Sequence, residues 1–146
     1  MKWIVLLFSA LCLQSCESQK TAVQNITKPN SYIIEYRTQS RKEQKSIKIS
    51  SKYFYVSAAN TNKNNKNYSN KQWQQLLHHI KDINVEELPN LKSPSKDFLF
   101  DGAALTKLVI TKNDKVFETP PFDQGNPNIK IAALIKDIVS LSKNIE

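Results

Sequence analysis

The sequence predicts an α+β domain: an antiparallel five-stranded sheet with two helices packed on one face, in the order βββ-α-ββ-α. Three observations predict it. Short runs with a two-residue apolar period stand in two groups, one before residue 58 and one between residues 105 and 119. Two longer runs, 68–83 and 127–145, carry their apolar residues at helical spacing instead. Strands gathered into hairpins, with helices between the groups, make an antiparallel sheet that the helices cover.

Each element has its own local reason. SYIIEYRT (31–38) alternates Tyr32, Ile34 and Tyr36 with Ile33, Glu35 and Arg37, which is a strand with one wetter face. After the polar loop QSRKEQ (39–44), KSIKIS (45–50) sets Ile47 and Ile49 on one side. Ser51-Lys52 then turns the chain into YFYVS (53–57), whose residue types suit strands. AANTNKNNKN (58–67) is Asn-rich with nothing to bury, which predicts a mobile loop.

YSNKQWQQLLHHIKDI (68–83) holds the clearest local signal. Ser69 and Gln72 form a capping box, and Tyr68 with Trp73 matches a hydrophobic staple. Trp73, Leu76, Leu77, Ile80 and Ile83 share one helical face. His78 and His79 are adjacent, so they lack the three- or four-residue spacing of a helical zinc pair. Residues 84–104, with Pro89 and Pro94, form a connection of a length that is uncommon in compact domains unless functional. LTKLVIT (105–111) and KVFET (115–119) are strands joined by a tight hairpin at Lys112-Asn113-Asp114. In the stiff loop PPFDQGNPN (120–128), Asn126 is placed to cap the last helix, with Pro127 at its first position.

The first thirty residues have a different character. Lys2 precedes an apolar run from Trp3 to Leu13 broken only by Ser9, an n-region and h-region of secretory type. The run is too short to span a bilayer, which takes about 20 apolar residues. Leu13-Gln14-Ser15-Cys16 resembles the lipobox of bacterial lipoprotein signal peptides. By that resemblance residues 1–15 are a lipoprotein signal peptide, and the Cys16 thiol takes a diacylglycerol while its freed amine is acylated. A thiolate is the nucleophile such a thioether requires. Each buried CH₂ contributes about 0.8 kcal/mol, so one chain anchors marginally and two or three hold firmly. Residues 16–30 then read as the lipidated Cys and a flexible tether with a coil span of about 20 Å, and residues 31–146 as a single α+β domain. Glu17 rather than Asp after Cys16 favours the outer membrane among the membranes of the cell envelope.

Cysteine usage and charge bound the function. Cys12 leaves with the signal peptide and Cys16 is consumed by lipid, so no thiol remains for a disulfide, a nucleophile or a metal. The whole chain carries +8, and loss of Lys2 with the signal peptide leaves +7. That balance suits an anionic partner, an envelope protein or an anionic polymer. The basic residues are scattered and not interleaved with stacking aromatics, so nucleic acid is not an expected partner.

The two long loops hold the candidate site. Both glycines of the chain lie there, as Asp101-Gly102 and Asp123-Gln124-Gly125-Asn126, together with five of the six prolines. Glycine used so sparingly implies positive φ or close backbone approach at those places. If the loops meet at one end of the sheet, Asp97, Asp101, Gly102, Asp123, Gly125 and Asn126 form a partner-binding surface. Asx-turns and helix caps account for the same residues without any ligand. Their spacing matches no cation loop, and the sequence calls for no metal and no cofactor.

ELPNLKSPSKDFLFDGAA followed by ETPPFDQGNPNIKIAALIKDI resembles a pattern in small uncharacterised bacterial lipoproteins, a "DG" before a strand and then "FD-x-G-NP" before a closing helix. The resemblance covers roughly residues 31–145 and implies the anchor and the α+β domain, with no catalytic residue to carry over. The expected function is therefore a non-enzymatic envelope lipoprotein, a binding or structural module held by a lipidated Cys16. Two alternatives differ in class: an inhibitor or immunity protein against a secreted hydrolase or toxin, and a hydrolase using the carboxylates of the two loops.

Overall fold

The computed structural model describes residues 30–58, 61–64 and 68–143. The signal peptide, Cys16 and nearly all of the tether lie outside the described residues. Among the described residues, seven strands form one antiparallel sheet: β1 (Tyr32–Gln39), β2 (Gln44–Ser50), β3 (Phe54–Ala58), β4 (Thr61–Asn64), β5 (Leu105–Lys112), β6 (Lys115–Glu118) and β7 (Phe122–Asp123). The described residues also form two α-helices, α1 (Asn70–Asp82) and α2 (Ile129–Lys143), and two 3₁₀ helices, Val85–Asn90 and Asp97–Phe100. The strand order is β4-β3-β2-β1-β5-β6, with β7 also pairing to β5.

The α+β class and the antiparallel sheet stand as expected; the count of five strands and two helices does not. The Asn-rich stretch contributes β4, which pairs with β3 in the register Tyr55↔Asn64 to Ala58↔Thr61. An edge strand needs backbone partners on one side only, so the lack of apolar side chains did not prevent it. Its shortness and polarity suit an edge, where a long apolar strand would invite pairing with other chains. The second addition, β7, is two residues of the stiff loop paired to the start of β5. Residues 84–104 contain the two 3₁₀ helices, and the first is fixed by Val85 and Leu88, which find buried places in the core.

Alternation along the strands defines one core face. Ile34 lies opposite both Ile49 and Ile110, and Tyr36 opposite both Ile47 and Leu108. These residues form one cluster with Trp73, Leu76 and Ile80 of α1 and Ile131, Leu134, Ile135 and Ile138 of α2. Each fully buried aliphatic side chain of this kind contributes about 1.5–3 kcal/mol. The capping box at the start of α1 is present: the Gln72 amide N–H donates to Ser69 Oγ and the Ser69 N–H to Gln72 Oε1, at 3.4 and 2.8 Å. Between the helices, Gln75 and His79 of α1 both meet Asp137 Oδ2 of α2 at 2.8 Å, while His78 points to solvent.

Pairing register also sorts the loops by end. Tyr32 pairs with Lys112 and Gln39 with Leu105. The chain therefore enters the domain beside the β5–β6 hairpin, and Asn113 seals that entry. Its Oδ1 accepts from the Ser31 N–H at 2.9 Å and its Nδ2 donates to Asn30 Oδ1 at 2.7 Å. The hairpin loop is Asn113-Asp114, with φ of 49° and 67°, the doubly positive pair of a type I′ turn. The β1–β2 turn, the segment 97–104 and the turn after β7 gather at the opposite end.

Candidate functional site

The two loops do meet, and Asp123 is what joins them. Its side chain is buried at 3% exposure among residues that come from the other loop. Oδ2 accepts from the Asp97 N–H at 3.0 Å and from Ser95 Oγ, and Oδ1 accepts from the Phe98 N–H at 2.7 Å. The carboxylate thus satisfies free amides at the start of the second 3₁₀ helix, as an N-cap does for an α-helix. Burial works to raise the Asp123 pKa, but the bonds from Ser95, Asp97 and Phe98 outweigh it and hold the group below the ordinary carboxylate range.

Further side chains staple the same pair of segments. Asn126 Nδ2 donates to Ser95 Oγ at 2.7 Å, and Asn128 Nδ2 donates to the Lys92 carbonyl at 2.9 Å. Asn128 is also the cap of α2: its Oδ1 accepts from the Lys130 N–H at 3.0 Å. The expected cap, Asn126, belongs instead to a four-residue turn, in which its N–H donates to the Asp123 carbonyl at 2.9 Å. Gly125 takes the third place of that turn with φ of 88°, where a side chain would be strained. α2 therefore starts two residues later than the Asn-Pro pair implied.

The other glycine serves close approach. A Cβ on Gly102 would stand 3.2 Å from Asp97 Cβ, and the Gly102 N–H donates to the Asp97 carbonyl at 3.0 Å. The positive φ at this corner, 59°, falls on Asp101. Asp101 turns its carboxylate to the Arg41 guanidinium at 2.5 Å, with both side chains largely exposed. Asp97 is exposed, and among the described residues no group of three or more Asp, Glu, His or Cys is placed to hold a metal. Of the predicted site residues, then, Asp97, Asp123 and Asn126 share one hydrogen-bonded cluster, while Asp101 pairs elsewhere.

What the latch presents is apolar. Leu99 is 62% and Phe100 83% exposed at the tip of the second 3₁₀ helix, and half-buried Phe98 stands beneath them. Two open depressions flank Phe98. One, of about 610 Å³, is lined by residues that include Arg41, Lys42 and Asp101. The other, of about 520 Å³, is lined by Lys92, Lys96, Leu99, Pro120 and Pro121 among others. Sequence reasoning missed Leu99, Phe100 and Arg41. The signal for the first two was DFLF itself, apolar residues between Pro94 and Gly102 with no element around them to bury them.

No family model matches the chain, and neither a curated protein nor a solved structure matches it.

Proposed function

We propose that this chain is a cell-envelope lipoprotein, anchored through Cys16 and presenting a small non-enzymatic binding module. The observation that carries the proposal is the stretch Leu13-Gln14-Ser15-Cys16 directly behind a short apolar run. The fold supports the binding part of the reading through its polarity. The chain enters at the Asn30–Asn113 end, and Leu99 and Phe100 lie at the other end of β1, whose eight residues reach about 24 Å at ~3.4 Å per residue. A module tethered at one end therefore holds its exposed apolar tip away from the anchoring membrane. Arg41, Lys42, Lys92 and Lys96 around that tip favour an acidic protein over a neutral one.

The exposed Phe100 on a latched support also favours one alternative, an inhibitor or immunity protein that places an aromatic side chain in the cleft of an acidic hydrolase or toxin. In either case the outer membrane is the proposed address, and the anchored partner is the membrane itself.

One experiment in the native host tests both halves. Wild-type protein is expected in the membrane fraction with acyl mass on an N-terminal Cys16, and Cys16→Ser is expected without acyl mass and in the soluble fraction. Cross-linking from the anchored chain is expected to yield an acidic envelope protein that Phe100→Ser no longer captures. A wild-type species that still begins at Met1 without acyl mass overturns the anchor. Unchanged capture by Phe100→Ser overturns the tip as the binding surface.

A further inference from the structure

A second concave region lies on the flank of α2 and shares no residue with the tip. Along α2, Ala132, Ile135, Lys136, Val139 and Lys143 follow one another at helical spacing and line its concave side. This stripe, the buried ring of Tyr36 and the turn residues Gln124, Gly125 and Pro127 enclose a groove of about 560 Å³. That volume lies within the range of small-molecule sites, which run from about 300 to 1,000 Å³.

The chemistry of the lining is one-sided. Ile135, Val139, Ala132, Pro127 and Tyr36 make an apolar floor and wall, and the exposed Lys136 and Lys143 supply two positive charges at the rim. Among the described residues no Asp or Glu lines the groove. Neither lysine makes an ion pair or hydrogen bond with the described residues, whereas Arg37, Arg41, Lys107 and Lys130 all do. The stripe from Ala132 to Lys143 extends about 16 Å at ~1.5 Å per residue, long enough to lie beside an extended hydrocarbon chain. The mouth beside Gly125 is open space, since a Cβ built there would have nothing within 4 Å.

We propose that this groove binds a single-chain amphipathic anion, a carboxylate on a hydrocarbon body, with the body on Ile135, Val139 and Tyr36 and the headgroup between Lys136 and Lys143. The site does not depend on the anchor or on the tip, so its failure and theirs are separate results.

The test is calorimetric titration of the full chain carrying Cys16→Ser, which removes any attached acyl group, with monomeric decanoate. Saturable one-to-one binding is expected, with amide shifts confined to α2 and residues 124–127. Decyltrimethylammonium, with a similar chain and the opposite charge, is expected not to saturate. Each of Lys136→Gln and Lys143→Gln should weaken decanoate about two- to fivefold, and the pair together about tenfold, the range of exposed charge contacts. Ala132→Phe should fill the groove and abolish binding. Should that variant unfold, Lys136→Glu with Lys143→Glu, both at exposed positions, keeps the question open to decision. Absence of saturation, equal binding of the cation, shifts centred on Leu99 and Phe100, or binding only to anionic vesicles would each overturn the proposal.

Discussion

The two ends of the sheet are built on different plans. At the end where the chain enters, the two turns are each closed by residues next to them in sequence, and the Asn113 bonds to Ser31 and Asn30 add a long-range seal. Ser50 Oγ accepts from the Lys52 and Tyr53 amides at 3.1 and 3.3 Å, and Asn113-Asp114 turns the β5–β6 hairpin in two residues. At the other end the β1–β2 turn is also local, with Ser40 Oγ accepting from the Lys42 and Glu43 amides at 3.3 and 3.0 Å, but the two long loops are joined between segments far apart. Asp123 reaches Ser95, Asp97 and Phe98 across 25–28 positions of sequence, and Asn126 reaches Ser95 across 31. The tight turns close themselves from local residues; the Asp123 latch exists only after the domain has folded. A long-range latch of this kind can hold an exposed apolar tip in place without burying it.

The largest expected effect lies at the latch. Asp123→Ala leaves the Ser95 hydroxyl and two amides without their acceptor, and unpaired buried donors are costly. Its thermal midpoint is expected to fall further than that of Asn113→Ala or Arg41→Ala, with proteolysis appearing first within residues 92–104. The latch also has a pH signature. Because the folded pKa of Asp123 is lowered, its contribution is complete above the unfolded value, about pH 4, and is lost as pH falls through the folded value. Glu35 titrates in the same direction, held low first by the Arg37 hydrogen bond and charge and then by Ser46 and Lys48, against the effect of its burial. Acid unfolding of Asp123→Asn should therefore flatten in part and not completely. A wild-type acid limb unchanged in Asp123→Asn would break the contrast between the ends.

An intermediate effect is expected at the entry end. Asn113→Ala keeps a Cβ at φ 49° but removes the polar side chain that favours this conformation, and loses the bonds to Ser31 and Asn30, at a cost of about 1–2 kcal/mol. Asn113→Gly keeps the turn and loses only the side-chain bonds, so chemical denaturation of the two variants separates the turn from the seal. If both lose equally, the turn is not what Asn113 supplies.

The smallest effect is expected at Arg41. Its pair with Asp101 is short but exposed on both sides, and such pairs are worth about 0–1 kcal/mol. Arg41→Ala should shift stability by less than about 0.5 kcal/mol. A larger loss would mean that the latched end depends on this ion pair as well as on Asp123.

What could be read from the sequence follows the same division. Ser69 and Gln72, three residues apart, announced the start of α1, and Asn113-Asp114 announced the hairpin, because each arrangement is complete within a few residues. The alternation of Ile34 and Tyr36, and of Ile47 and Ile49, gave the core face correctly. β4 escaped because an edge strand can be made by its neighbour's backbone with no apolar pattern of its own. Asn126, with Pro127 behind it, reads as the cap of the last helix, but in the fold its side chain bonds to Ser95 and Asn128 is the cap instead. The role of Asp123 was hidden for a similar reason: an acid in a Gly- and Pro-rich loop reads as exposed until the amides it accepts are brought to it from residues 95–98.

The position of β1 has a mechanical consequence. It is the strand with which the described chain begins, and it is hydrogen-bonded along both sides, to β2 and to β5. A pull arriving through the residues before Asn30, countered by a load at the opposite tip, would run lengthwise along this strand. The rungs on its two flanks would then share the strain in shear and would not peel apart one after another, so the fold would resist being pulled open along that line.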